Sequence, residues 1–290
     1  MVEGEGIATA AGVSPGAGKG LERFGLWLLA VFSAAAVVGF ATFGMNPALL
    51  GTFPGAIPFY ALSYRLFSIG QIVLAAGALA VVLILRARFR WLPALAAAYL
   101  ISLTSELSGT AFGFPFGPYH YTPILGPRWF DLVPLVIPLS WFMMAIPSFY
   151  LAIWATPRGG ALARIGLGAL ILTAWDLALD PAMSHATFYW RWEVEGLYYG
   201  MPWINLGGWL FTSTLIMGAL VLLRSEEWVS RLPGRWLVVF YGLNVLLPLG
   251  MAAAAGLVWA VAVTVGAYAG LVLLLRVSRA RSRPEVVGAT

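Results

Sequence analysis

The chain has no cysteine among its 290 residues, which excludes disulfides, iron–sulfur clusters and thiolate zinc sites. Histidine is almost as scarce. His120 and His185 are the only two, too few for a di-iron oxygenase centre, which draws several His or carboxylates from repeated helical motifs. Charge is the third shortage: only 10% of residues are Asp, Glu, Lys or Arg, against about a quarter in an ordinary globular domain. Also missing are a P-loop, a Rossmann GxGxxG after a strand, and HExxH. The chain therefore reads as cofactor-free, with no metal site.

What the sequence has instead is apolar length. It is 61% hydrophobic with a mean hydropathy of +0.87, which places it among integral membrane proteins. Runs of about 20 apolar residues fit a hydrocarbon core of about 30 Å. They fall at roughly 24–43, 64–85, 93–112, 131–155, 162–180, 203–223, 236–254 and 257–275. The expected fold class is all-α, a polytopic transmembrane helical bundle of about eight spans. Its domain organisation is a disordered Gly- and Ala-rich N-terminal tail over 1–22, one transmembrane helical domain over 23–276, and a basic disordered C-terminal tail over 277–290. The first apolar run is long for a signal-peptide core and reads as a retained helix.

Basic residues test that count, because cytoplasmic loops collect Lys and Arg. Lys19, Arg23, Arg86, Arg88, Arg90, Arg158, Arg164, Arg224, Arg231, Arg235, Arg276, Arg279, Arg281 and Arg283 fall on one side of the expected topology. Arg65, Arg128 and Arg191 fall on the other. Eight spans with both termini in the cytoplasm of a multi-pass cell-membrane protein satisfy this division, and the tight turn near Gly256 is where the count is most exposed to error. The net charge of +5 is then loop bias and attraction to anionic lipid, with no aromatic-interleaved basic groove for nucleic acid.

The same topology gathers the acids. Glu106 lies late in the third span, Asp131 opens the fourth, and Asp176 and Asp180 end the fifth, all toward the non-cytoplasmic half. His120, His185, Glu193 and Glu195 belong to two aromatic-rich loops on that side. One polar pocket near one face of the bilayer is expected, roofed by those loops. Ionisable groups inside spans are expensive and are functional candidates by default.

Asp176 and Asp180 stand at i, i+4, on one helix face, where mutual repulsion would keep one of them protonated and able to donate a proton. Alternatively, Asp180 caps a turn before Pro181 while Asp176 bonds a neighbouring helix. Glu106 sits among Ser102, Thr104, Ser105 and Ser108, in a catalytic or a structural role. Asp131 is a candidate ligand for substrate or an N-cap of the fourth helix. His120, between Tyr119 and Tyr121, is a proton shuttle or an interfacial side chain. Trp141, Trp175, Trp190, Trp192, Tyr198 and Tyr199 cluster near the expected pocket, as membrane-interface belt residues or as the lining of a groove for a long apolar ligand. Aromatic faces also stabilise cations by roughly 0.5–2 kcal/mol each.

Two stretches concentrate these residues. Gly113 to Ser148 contains GPYHYTPILGP and VPLVIPLSWFMM; Trp175 to Trp209 contains WDLALDP followed by Met183, the Trp190/Trp192 pair and GLYYGMPWINLGGW. Over roughly residues 105–212 the chain resembles the integral-membrane carotenoid 1,2-hydratase family of bacteria and haloarchaea. The resemblance implies hydration of the terminal 1,2 double bond of an acyclic ψ end group, without metal or organic cofactor. It also implies a long apolar carotenoid substrate in contact with membrane lipid, and other carotenoid-pathway enzymes as neighbours. On that reading Asp180 or Asp176 protonates the alkene, and Trp175, Trp190 and Trp192 shield the cation. Glu106 or the partner Asp takes the water's proton, while Asn205 and His120 position the water. Two other classes stay open. DLALD resembles one Asp-rich motif of intramembrane prenyltransferases, although the second motif for Mg²⁺ is missing. A proton-coupled transporter would use the carboxylates as a relay, although no internal repeat is visible.

Overall fold

Proline, glycine and a few left-handed residues set where the helices begin and end. The computed structural model describes residues 15–281. Its helices are, in chain order, α1 (Pro15–Gly39), α2 (Ala48–Thr52), α3 (Ile57–Ala87), α4 (Leu92–Phe112), α5 (Val136–Ala155), α6 (Ala161–Ala174), α7 (Asp176–Asp180), α8 (Trp203–Leu222), α9 (Glu226–Val229), α10 (Gly234–Ala254) and α11 (Val258–Arg281). A proline opens α3 and α4 within the first turn, where its missing N–H is not needed. Gly113, at φ 76°, closes α4 by donating its N–H to Gly109 O.

The fold is the expected all-α membrane bundle. Seven helical segments among the described residues are long and apolar enough to cross a membrane. The eighth expected span, α4, is 21 residues long but carries Ser102, Thr104, Ser105, Glu106 and Ser108, which lower its apolarity. It lies against α5 and α8, with Ser102 and Glu106 buried. Near Gly256, at φ 72°, α10 and α11 are two separate helices rather than one bent span. Several boundaries differ from the sequence expectation. Residues 15–22, placed in the N-terminal tail, are the first turns of α1, and residues 277–281 continue α11. The rest of both expected tails lies outside the described residues. The fourth span starts at Val136, because residues 128–134 form a hairpin of β2 (Arg128–Trp129) and β3 (Val133–Pro134).

The fifth span is interrupted where the site lies. At Trp175 the backbone N–H turns to Leu172 O, which frees the Ile171 carbonyl; the Tyr241 hydroxyl takes it at 2.6 Å. Pro181 then starts a π-helical turn over Pro181–Ala186. Having no N–H, it leaves the Leu177 carbonyl open, and the Tyr198 hydroxyl donates there at 2.8 Å. Pro248 inside α10 does the same to Asn244 O, which accepts Trp175 Nε1 at 3.0 Å. Inside a bilayer each freed carbonyl must find a donor within the protein. Three aromatic side chains supply them, and each is thereby locked in orientation. Tyr198→Phe should leave Leu177 O unsatisfied and destabilise the fold by about 1–3 kcal/mol. A lower unfolding midpoint of the detergent-solubilised protein, beside unchanged membrane insertion, is the expected result.

The two aromatic loops are joined by an antiparallel ribbon of β1 (Tyr119–Tyr121) and β4 (Trp190–Trp192), in register Tyr119 to Trp192, His120 to Arg191 and Tyr121 to Trp190. Alternation along a strand sends neighbouring side chains to opposite faces. Tyr119, Tyr121, Trp190 and Trp192 therefore face the bundle, while His120 and Arg191 face away. The opposite end of the bundle holds four Arg–Glu ion pairs among the described residues: Arg86 to Glu22 at 2.6 Å, Arg224 to Glu227 at 2.9 Å, Arg90 to Glu227 at 3.6 Å and Arg164 to Glu226 at 3.9 Å.

Candidate active site

Beneath the ribbon lies a cavity of about 260 Å³. Glu106 of α4, Asp180 at the end of α7 and Asn205 of α8 line it, each no more than 5% exposed. Every hydrogen bond these carboxylates receive among the described residues comes from a neutral group. Glu106 Oε2 accepts from the hydroxyls of Tyr119 and Tyr121, the latter at 2.8 Å, and Oε1 accepts Trp141 Nε1 at 2.9 Å. Asp180 Oδ2 accepts Trp190 Nε1 at 3.0 Å, while Oδ1 accepts Trp192 Nε1 at 3.1 Å and the Ser184 hydroxyl at 2.8 Å. The ribbon thus hangs from two acids, Tyr119 and Tyr121 on one and Trp190 and Trp192 on the other. Burial, and then the adjoining Glu106, hold both phenols well above the ordinary tyrosine value, so they stay protonated donors at any physiological pH.

Aromatic packing fixes the frame. Trp141 stacks on Trp209 with centroids 4.1 Å apart, and Trp175 meets Trp209 edge-on at 6.1 Å. Such pairs contribute about 0.5–1.5 kcal/mol beyond the area they bury. Gly208 makes room for the turn above: a Cβ there would stand 2.6 Å from the Phe116 ring and 2.7 Å from Pro115 O. Away from the acids the cavity runs into an apolar arm lined by Phe40, Phe43, Leu50, Phe59, Tyr60 and Phe67.

Of the residues singled out in the sequence, the cavity brings together Glu106, Asp180, Asn205, Tyr119, Tyr121, Trp141, Trp175, Trp190 and Trp192. Asp176 lies behind this surface. It is fully buried, and its Oδ2 accepts Asn205 Nδ2 at 2.7 Å. The i, i+4 pair therefore divides its tasks, with Asp180 facing the cavity and Asp176 facing α8.

Four candidates are elsewhere. His120 is on the outer face of β1, its side chain 56% exposed and Nδ1 3.1 Å from Glu193 Oε1, so it cannot reach the cavity. Asp131, at φ 58° beside Phe130 at φ 50°, is in the tight turn of the β2–β3 hairpin, exposed, and five residues short of α5, so it neither binds there nor caps that helix. Tyr198 is held by Leu177 O; burial first, then the neighbouring Tyr199, push its hydroxyl up to about 12. The Tyr199 hydroxyl accepts from Trp259 N at 3.1 Å.

The sequence reading missed Trp209, Phe116, Gln71 and the whole apolar arm. A signal existed for two of them. Gln71 is a polar residue inside an apolar span, and Trp209 closes the GLYYGMPWINLGGW stretch. The π-turn contact of Ser184 with Asp180 was also legible as an i, i+4 pair. Among the described residues no group of three or more His, Asp or Glu is placed to hold a metal ion.

A bisanhydrobacterioruberin hydratase of Haloarcula japonica is 32% identical over 124 residues, which is 42% of this chain and 42% of that protein's length. No solved structure matches. Residues 67–272 match the family described as carotenoid biosynthesis protein, and they include every residue of the acidic end of the cavity. The chain belongs to the carotenoid biosynthesis protein family.

Proposed function

We propose that the protein is a carotenoid 1,2-hydratase, adding water to the terminal 1,2 double bond of an acyclic ψ end group to give a tertiary alcohol. The observation that carries the reading is that Asp180 and Glu106 open into one aromatic cavity that continues into an apolar arm. The arm suits a polyene and the acidic end suits its terminal isopropylidene group. A relative named as a hydratase supports the same chemistry.

In the mechanism, protonated Asp180 gives its proton to C2 of the alkene, and the C1–C2 π electrons form the new C–H bond. A tertiary cation is left at C1, with Trp175, Trp190 and Trp192 lining its surroundings. Water held at Asn205 adds its oxygen to C1 and passes a proton to Glu106. Return of that proton from Glu106 to Asp180 resets the site, so the net change is addition of one water with no redox step. Indole N–H donors on both oxygens of Asp180 stabilise the carboxylate that forms as the proton leaves. Most of the remaining wall is apolar or aromatic, although Ser63, Ser68, Gln71, Ser140 and Asn244 also line it, and the apolar stretches limit the water that can reach the cation.

We place the ion-paired end of the bundle and both termini on the cytoplasmic side, because that end carries most of the basic residues. Substrate and product both remain in the bilayer, where other carotenoid-modifying enzymes would exchange them laterally.

The test is expression in a bacterial host that accumulates lycopene or γ-carotene. A more polar pigment, heavier by one water and with an unchanged chromophore, is the expected product. Unchanged pigment on both substrates, with the protein inserted in the membrane, would overturn the reading.

A further inference from the structure

Asp176 is the one buried acid of the site that does not line the cavity. Its Oδ2 accepts Asn205 Nδ2 at 2.7 Å, and its Oδ1 has no hydrogen-bond partner among the described residues. Asn205 Nδ2 is also 3.0 Å from the Met201 sulfur, a weak acceptor. Both amide hydrogens therefore have acceptors on the side away from the cavity. The structure places the amide nitrogen against Asp176, the arrangement in which an ionised carboxylate, which only accepts, is satisfied. The atom left over is Oδ1 of Asn205, which receives no bond from any described residue although Asn205 lines the cavity.

We infer that Asp176 is a positioning residue: it locks the Asn205 amide so that its oxygen, and never its NH₂, faces the cavity and holds the attacking water as an acceptor. This rests on the hydration reading and deepens it. A water donating one hydrogen to Asn205 Oδ1 and the other to Glu106 turns its oxygen lone pairs toward C1. Were the amide to flip, its NH₂ would compete for those lone pairs and the water would present hydrogens to the cation. The cation would still form at Asp180, but it would return to alkene by losing a proton from C2 rather than capturing water.

That difference is measurable in D₂O. Asp180 then delivers a deuteron to C2, and a cation that reverts by losing the original proton leaves deuterium in recovered substrate. The ratio of deuterium wash-in to hydration reports how well water is placed, apart from how fast the cation forms. Asp176→Leu, which removes the acceptor at similar volume, should raise this ratio about tenfold or more, the weight of one hydrogen bond to a charged group. Asp176→Asn keeps an acceptor oxygen that can also turn away, so its ratio should lie between the wild type and Asp176→Leu. If Asp176→Leu does not insert in the membrane, Asp176→Asn decides alone.

Variants that lose wash-in and hydration together, as loss of a proton donor would produce, overturn the inference, and so does a ratio equal to the wild type's. Failure of the wild type to hydrate any ψ-end carotenoid would instead overturn the hydration reading, so the two failures are distinct.

Discussion

Asp180→Asn should lower hydration by about 10²–10⁴-fold, the range that general acid catalysis contributes, and deuterium wash-in should fall with it. The amide has no proton acidic enough to give an alkene, so both outcomes of the cation disappear together. The substitution also disturbs structure, because Asp180 accepts from Trp190, Trp192 and Ser184. An amide group can satisfy either the Trp190 side or the Trp192 and Ser184 side, but its NH₂ must then face a donor on the other. Loosening of the ribbon would weaken substrate binding, whereas loss of the acid lowers turnover at saturating substrate. The decisive measurement is therefore kcat with the unfolding midpoint recorded beside it. Retained turnover in a folded Asp180→Asn protein would remove Asp180 from the donor role.

Glu106→Gln should have the second-largest effect and a different signature. Loss of the base slows water capture, again by about 10²-fold or more, but leaves Asp180 able to form the cation. Hydration should collapse while deuterium wash-in continues. The local penalty is predictable: Glu106 receives two phenols on one oxygen and the Trp141 indole on the other, so the Gln NH₂ must confront one set of donors. One or more unmade buried bonds would cost about 1–3 kcal/mol. Replacing Tyr119 and Tyr121 by Phe tests that part separately, since it removes the donors and leaves the acid.

The opposite signatures of the two variants, both losing hydration but only one losing wash-in, separate donor from base. They also separate this chemistry from its rivals. A prenyl transfer site would need its two DLALD carboxylates to converge on one metal ion, whereas Asp180 faces the cavity and Asp176 faces Asn205. A transporter would move solute without changing the pigment.

Composition and hydropathy alone determined that this chain is an all-α membrane bundle, because apolar length over about 20 residues has few alternatives in water or lipid. The gathering of Glu106, Asp176 and Asp180 toward one end was also legible, since span direction fixes which end of a helix a residue occupies. Sequence could not tell Asp176 from Asp180. Their spacing puts them on one face of an ideal helix, and only the break at Trp175 and the π turn after Pro181 decide which carboxylate meets the cavity. Nor could it separate His120 from its two tyrosine neighbours. That depended on residues 119–121 pairing with residues 190–192 some seventy positions away, and on the alternation such pairing imposes. The apolar arm was invisible for a related reason: Phe40, Phe43 and Phe67 read as ordinary span residues and Leu50, Phe59 and Tyr60 as part of the connection between two spans, until α1, α2 and α3 close around a space continuous with the acids. Helices and their ends follow from local chemistry, which the sequence carries directly. Which buried side chains share a cavity follows from long-range packing, which only the tertiary structure decides.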